Sequence, residues 1–483
     1  MSFEFDIKQA NAEALAYVRK ESLDIYNRLH SIGEDVHFVG EVHQAYLELP
    51  ILPNLRCGAW YLDPKIAFHE GAYFKSTDGH FGNWSFNLRR PNLHLLPLIA
   101  AEGGLVLVDS TRAGKRIPDA LSKTIPIWCA VINRATLLVY PEKAKEEAWD
   151  VELYCPPGAV SEQERSQIKA RLYGWAEDLS KSSYHLPSLP RPLRPLWITP
   201  STSVFPTLRP LDKLKYSPIV CVSASKQVSE GVERRSHGYS YVQGSGDDHE
   251  LWGMGLTPKL FWEHKNALLN SSREDLPCVV AKLVAESKVL HGRAVWTTLP
   301  SPIAALHGRI SIGAVPDMPF ELAPTLPDVD RPCSFVVVSA TGSSSPPTSD
   351  ADSDASDSMS SEPHVLRLRL AEGKKDQLHF LQHVLPASTR YINDRLATGD
   401  AICVCCDSGR DAGVGIALAA IQLFFDDEGR PLEPGTQAAS PSKESIRTRL
   451  QWIIASRPAA NPSRVTLKRV NEFLLSSPSF RRR

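Results

Sequence analysis

Long apolar runs, surplus charge and paired cysteines are all missing from this sequence of 483 residues. Without a run of eighteen or so apolar residues, no segment reads as a membrane span. Lysine and arginine number 54 against 55 aspartate and glutamate, a net charge of −1. No global basicity therefore announces a nucleic-acid partner, and any RNA contact must come from local patches. The nine cysteines follow neither a disulfide framework nor a zinc spacing. Cys403 and Cys406 form a lone Cys-x-x-Cys with no second Cys or His pair near it. With no secretory leader legible, free thiols in a reducing compartment are expected. What the chain has instead is 37 prolines, for many ordered connections, and 42% hydrophobic residues, enough for two or three domains.

The stretch around which the chain is organised is Ala401-Ile-Cys-Val-Cys-Cys-Asp-Ser-Gly-Arg-Asp-Ala-Gly-Val-Gly-Ile-Ala-Leu-Ala-Ala420. Six apolar, β-leaning residues run into a polar loop, Asp407 to Asp411, and then into a helix of small residues from Ala412. Strand, tight loop and helix N-terminus together turn backbone N–H groups toward an anion. The stretch resembles the phosphate loop of cysteine-dependent dual-specificity phosphatases, whose pattern is His-Cys, five residues, then Arg. Anchored on Gly409, that His-Cys falls on Cys405-Cys406 and the Arg falls on Ala412. The thiol is present and the clamp on a phosphoryl transition state is missing, so a phosphate cradle without phosphatase activity is expected. An ordinary buried βα unit gives the same pattern.

Earlier in the chain, residues up to about 30 carry helical periodicity. Gly71 to Arg90 is polar, aromatic and glycine-punctuated, and bears Lys75, Asp78, His80, Arg89 and Arg90, a candidate ligand loop. Asp78-Gly79 is equally a plain turn signal. Gly104 to Asp109 reads as a buried strand. Ser110-Thr-Arg-Ala-Gly-Lys-Arg116 follows it and a helix starts near Pro118, making a second anion site with Arg112, Lys115 and Arg116 on it. The nucleoside-triphosphate loop Gly-x-x-x-x-Gly-Lys-Ser/Thr is not matched. Pro187 to Pro210, with Arg191, Arg194 and Arg209, reads as a rigid strap or a basic RNA rail. In Tyr241-Val-Gln-Gly-Ser-Gly-Asp-Asp-His-Glu250, the acids Asp247 and Asp248 beside His249 suit a magnesium shell, a general base or a solvated turn. A second domain is read from Asp275, and Thr341 to Pro363 has the composition of a disordered acidic loop.

Taken whole, the chain resembles the initiator-tRNA 2′-O-ribosyl phosphate transferases of fungi and plants. The resemblance rests on Lys75 to Arg90, Asp109 to Cys129, Tyr241 to Glu250 and the cradle, four unusual strings in one order, with Ala459 to Arg464 in support. It implies an α/β protein of two domains. Residues 1–274 would be a family-specific α/β domain for tRNA and substrate recognition. Residues 275–483 would be a cysteine-phosphatase-like α/β domain with a phosphate loop and the acidic insertion at 341–363.

The same resemblance implies transfer of ribosyl phosphate from 5-phosphoribosyl 1-pyrophosphate to a T-stem adenosine of initiator methionine tRNA, with magnesium on the donor pyrophosphate. The donor phosphate is expected at Cys406, Asp407, Ser408, Gly409, Arg410, Ala412 and Gly413. Lys75, His80, Arg112, Lys115, Arg116, Asp247 and His249 are the other substrate-binding candidates. Which anion site takes which phosphate is open. Asp411 is the first choice for the base, with Asp78 and the Asp247-Asp248 pair as alternatives. Neither a membrane nor DNA is expected as a partner, and the cytoplasm is the expected compartment, nuclear entry being left open. The competing readings are a working phosphatase and a non-catalytic pseudophosphatase that binds phosphorylated partners.

Overall fold

Apolar runs without polar alternation call for parallel strands covered on both faces, and the chain builds two sheets of that kind. The computed structural model describes residues 2–476 except 56, 70, 112–113, 146–148, 209, 230, 237, 290–295, 297, 320–321, 327–330, 341–363, 372–375 and 433–439. Side chains are described from residue 12 onward, those of 288 and 289 apart. Two units are present, Met1–Lys288 and Val289–Arg483. The expected acidic loop and Arg112 lie outside the described residues.

The first unit opens with α1 (Ser2–Leu23) and α2 (Ile25–Ala45). Asp24 separates them, its carboxylate accepting from Asn27 N at 3.0 Å as an N-cap. Then come β1 (Ile51–Pro53), α3 (Leu95–Glu102), β2 (Leu105–Asp109), α4 (Ile125–Val139), α5 (Glu162–Ser180), β3 (Leu193–Ile198) and β4 (Ser217–Ser223). A hairpin follows, β5 (Val232–Arg234) and β6 (Ser240–Val242), then α6 (Pro258–Glu263), α7 (Lys265–Asn270) and α8 (Leu276–Val289). The four-stranded sheet has the order β1-β2-β4-β3 and is parallel throughout. Alternate residues feed two cores. Leu105, Leu107 and Ile219 meet Trp128 and Ile132 on one face, and Val106, Val108 and Val220 meet Ile32 and Val39 on the other.

The second unit holds β7 (Ser301–Pro302), β8 (Ile310–Ala314), β9 (Cys333–Ser339), β10 (Val365–Arg369), α9 (Gln377–His379), α10 (Leu385–Ala397), β11 (Ala401–Cys406), α11 (Ala412–Phe424), α12 (Lys443–Ser456) and α13 (Arg464–Leu475). Its sheet runs β10-β9-β11-β8-β7, parallel except for the edge strand β7. The central strand β11 is buried along its whole length. Among the described residues no helix is long and apolar enough to cross a membrane.

Two departures from the expected elements have clear causes. Two of the long helices with a proline near their start, at Pro126 and Pro386, enter through a π-turn, Ala120–Thr124 and Phe380–Val384; α8, with Pro277 second, does not. Proline offers no N–H to an i−4 carbonyl, and one turn of wider bonding accommodates the mismatch. Helix α4 therefore continues the helical run that starts near Pro118, and residues 377–397 likewise form one run. The second departure is within Pro187 to Pro210, part of which is a strand. It contains β3, at the sheet edge where Pro195 is tolerated. Arg191 is tied to the carbonyls of Leu211 and Leu214, and Arg194 to Asp150, with its guanidinium over Tyr154 and Tyr216. Arg209 lies outside the described residues.

Candidate functional site

Ligands of parallel α/β sheets gather beyond the carboxyl ends of the strands. In the first unit those ends are tied by a buried polar network. Asp109 closes β2 fully buried, and its carboxylate accepts from Asn54 Nδ2 at 2.8 Å, the Cys57 thiol at 2.9 Å and Ser110 N at 2.9 Å. The Ser110 hydroxyl is 2.6 Å from that of Ser225, just past β4, and Ser225 donates to Asp35 Oδ2 at 2.6 Å. Tyr241 OH donates to Asp35 Oδ1 at 2.7 Å. Burial outweighs these bonds and pushes the Asp35 carboxyl up to about 8, so it holds its proton at neutral pH. These acids fix the strand ends and are shut away from solvent.

The loop after β2 leads to a charged cluster on Asp119. Lys115 stands four residues before it, in the loop, and Lys123 four residues after it, one helical turn on. Lys115 Nζ is 2.5 Å from Asp119 Oδ2, and Lys123 Nζ is 3.0 Å from Oδ1 and 3.2 Å from Glu164 Oε1. Burial raises the Asp119 carboxyl, but the two lysine hydrogen bonds and charges prevail and hold it below its ordinary value. His80 Nε2 approaches the same Oδ2 at 3.7 Å. Lys75 to Arg90 is thereby seated on this helix start. Thr124 Oγ1 donates to Lys75 O at 3.0 Å, and a Cβ on Gly79 would stand 2.8 Å from Asp119 O. Lys75, Lys115 and Arg116 are exposed, and Lys115 and His80 present about half of their side chains to solvent. Asp78 is occupied otherwise, both of its carboxylate oxygens accepting from Arg90 Nη2, at 3.1 and 2.9 Å.

The string Tyr241 to Glu250 holds that loop from below. Gln243, buried, donates from Nε2 to Lys115 O at 2.7 Å and accepts at Oε1 from Val228 N at 3.1 Å. Ser223 Oγ fixes Arg116 O at 2.9 Å. The carbonyls of Ser245 and Asp247 turn to Arg28 at 3.1 and 3.4 Å. Asp248 is exposed at φ +48°, a left-handed conformation uncommon outside glycine and asparagine. The His249 ring lies 5.7 Å from that of Trp60. Among the described residues no three His, Cys, Asp or Glu side chains gather as a metal shell.

In the second unit, β11 delivers Cys406, buried, to the loop 407–411. Asp407 Oδ2 accepts from Ala340 N at 2.9 Å, and Ser408 Oγ accepts from Arg410 N at 3.3 Å. Gly409 takes φ +62°, donates to Cys406 O at 3.0 Å, and its carbonyl accepts from Arg457 Nε at 2.8 Å. Arg410 points its exposed side chain outward while its carbonyl takes Asn461 N at 2.9 Å. Asp411 begins α11, and its Oδ1 accepts from Ser463 N at 2.8 Å. Ala412, the first residue of α11, is buried. Gly413 packs so closely that a Cβ would lie 3.2 Å from Cys406 Sγ. The candidates Cys406 to Gly413 thus share one strand–loop–helix turn of this unit. Lys75, Asp78, His80, Lys115, Arg116, Asp247, Asp248 and His249 belong to the first unit.

Sequence reasoning passed over Asp35, Asp119, Lys123, Gln243 and Arg457. The Lys115-Asp119-Lys123 spacing was a legible signal. Arg457 and Gln243 carry none, because their partners lie 48 and 128 residues away.

Comparison with known proteins bears on both units. A family model described as the Rit1 N-terminal domain matches residues 18–285, and one described as the Rit1 DUSP-like domain matches residues 364–474. The chain is 31% identical to the tRNA A64-2′-O-ribosylphosphate transferase of Saccharomyces cerevisiae, across 95% of this chain and 93% of that protein. It is 32% identical to an uncharacterised protein of Schizosaccharomyces pombe, across 96% of this chain and 97% of the relative.

Proposed function

This chain belongs to the Rit1 family, and from that premise we propose that it is a tRNA 2′-O-ribosyl phosphate transferase. The donor is 5-phosphoribosyl 1-pyrophosphate, and the acceptor is the 2′-hydroxyl of adenosine 64 in the T stem of initiator methionine tRNA. The added anion bars that tRNA from elongation. The observation that carries this reading is the identity to the yeast transferase over nearly the whole length of both chains.

In the reaction the bond from the donor's anomeric carbon to pyrophosphate breaks and a bond from that carbon to O2′ forms. The O2′ proton passes to a base, and pyrophosphate leaves with the bond's electron pair. Asp411 suits the base. Ser463 N fixes one carboxylate oxygen, and among the described residues Oδ2 accepts no hydrogen bond. The pairing of both Asp78 oxygens with Arg90 Nη2 makes it the weaker alternative. The turn from Cys406 to Gly413, with Arg410 beside it, would receive a phosphate at the positive end of α11. Lys115 and Arg116 would meet tRNA phosphates or the departing pyrophosphate. Magnesium would arrive on the donor's pyrophosphate. A 2′-hydroxyl in an A-form stem lies in the shallow minor groove, reachable without unwinding. Cytoplasm suits this substrate, and entry to the nucleus is compatible with it.

The test is to incubate the full chain with magnesium, radiolabelled 5-phosphoribosyl 1-pyrophosphate and either initiator or elongator methionine tRNA. Label on the initiator alone is expected, and Asp411→Ala or Arg410→Ala should remove it. Label on neither tRNA, with RNA bound, would overturn the transferase reading in favour of a phosphate-binding pseudophosphatase.

A further inference from the structure

A ring as exposed as Phe81, at 73%, ordinarily has no reason to be held in place. Here it is held. Its ring meets Trp84 edge to face, 5.4 Å between centroids at 78°. Trp84 is itself buried, its indole N–H donating to Glu164 Oε1 at 2.8 Å and its ring lying 5.2 Å beneath the Arg171 guanidinium. Glu164 is anchored in turn by Lys123, which also holds Asp119. One buried salt-bridge chain therefore supports the aromatic floor and, on its other branch, His80 and Lys115 converging on Asp119 Oδ2.

Phe81 directly follows the exposed His80, whose imidazole shares Asp119 Oδ2 with the exposed Lys115, and the loop's other exposed members, Lys75, Thr77, Gly82 and Asn83, are not apolar. A single ring in polar surroundings is too small an apolar patch for a stable protein interface. It matches what unpaired nucleotides use: a π-face for the base and positive charge for the neighbouring phosphates.

We propose that Phe81 is a stacking platform for an unpaired base of the RNA substrate, with Lys115 and His80 on the adjoining phosphates. This rests on the reading of the chain as a tRNA-modifying enzyme, and it adds a contact outside the duplex stem where the reaction takes place. It assigns Asp119 as a positioning residue that aims the two donors.

The experiment measures the affinity of the full chain for fluorescein-labelled initiator tRNA by anisotropy over a range of salt. Phe81→Ala should weaken binding roughly 5- to 150-fold, the span associated with one stacked base, with the melting temperature and salt dependence unchanged. Phe81→Trp should keep the affinity, and Phe81→Leu, apolar without a π-face, should behave like the alanine variant. Lys115→Gln should flatten the slope of log K against log salt by about 0.7 to 0.9, one phosphate contact. Wild-type affinity in Phe81→Ala would overturn the proposal while leaving the enzyme reading intact. No binding of tRNA by the unaltered chain would overturn the enzyme reading itself.

Discussion

Lys123 is the cation on which the first unit's charged cluster depends, and Lys123→Met is the sharpest test of that arrangement. Its side chain is 8% exposed and lies between two buried carboxylates, Asp119 and Glu164. Removing it leaves two facing acids with only the half-exposed Lys115 for compensation. Breaking a buried pair in this way costs about 3–5 kcal/mol. Asp119→Asn should cost less, about 1–2 kcal/mol, because Lys123 keeps Glu164 and no buried charge is orphaned.

The pH dependence separates the two mechanisms further. In the natural chain the Asp119 carboxyl is held low, so its contribution is present above its unfolded value and fades as pH falls toward acid. In Lys123→Met the buried Asp119 carboxylate loses its inner cation, so burial, which raises it, is less opposed and protonation relieves it. That variant should therefore regain stability as pH drops from 7 toward 5. Urea unfolding followed by intrinsic fluorescence reads the right unit, since eight of the ten tryptophans lie in Met1–Lys288. Equal losses in the two variants, or a Lys123→Met deficit that persists at pH 5, would refute the cluster as described.

Asp35, raised to about 8 by burial, binds a proton in the folded state that the unfolded chain releases near 4. Its contribution is complete at low pH and is lost as pH rises toward 8. Relative to Asp35→Asn, the natural chain should lose about 1.4 kcal/mol per pH unit between pH 5 and 7.5, checked by urea midpoints. Gln243→Leu leaves Val228 N and Lys115 O without their partner. It should cost about 2 kcal/mol and lower tRNA affinity by freeing the Lys115 loop, measured by unfolding and anisotropy. Gly409→Ala combines φ +62° with a Cβ 2.9 Å from Gly313 O, and should destabilise the second unit by at least about 2 kcal/mol. Gly399→Ala, at φ +92° with open space around it, should cost only about 1 kcal/mol in the same calorimetric scan.

The two sheets were legible because continuous apolar runs such as Leu105 to Val108 and Ala401 to Cys406 leave a chain few alternatives to a buried parallel strand. Helix starts were legible where a cap is written locally, as at Thr257 before Pro258, whose hydroxyl accepts from Leu260 N at 3.3 Å. Pro195 misled, since proline density says nothing about whether a strand is central or at an edge. The strand and helix on either side of residues 407–411 were readable. That Arg457 would brace Gly409 was not, because nothing local in either segment specifies the other. The carboxylates show the same limit. Asp78, Asp109 and Asp119 look alike in sequence, and only tertiary neighbours make one an arginine's partner, one a strand-end anchor and one the hub of two lysines.

The central claim is that a ribosyl phosphate is joined to a 2′-hydroxyl of tRNA, and alkaline hydrolysis tests it most directly. Alkali cleaves RNA through the 2′-hydroxyl, so a nucleotide blocked there leaves as a dinucleotide. Initiator tRNA treated with the full chain, magnesium and 5-phosphoribosyl 1-pyrophosphate, then hydrolysed, should yield one alkali-resistant dinucleotide beginning with adenosine and carrying an additional ribose and phosphate by mass. Complete hydrolysis to mononucleotides, with the tRNA bound by a folded chain, would contradict the account.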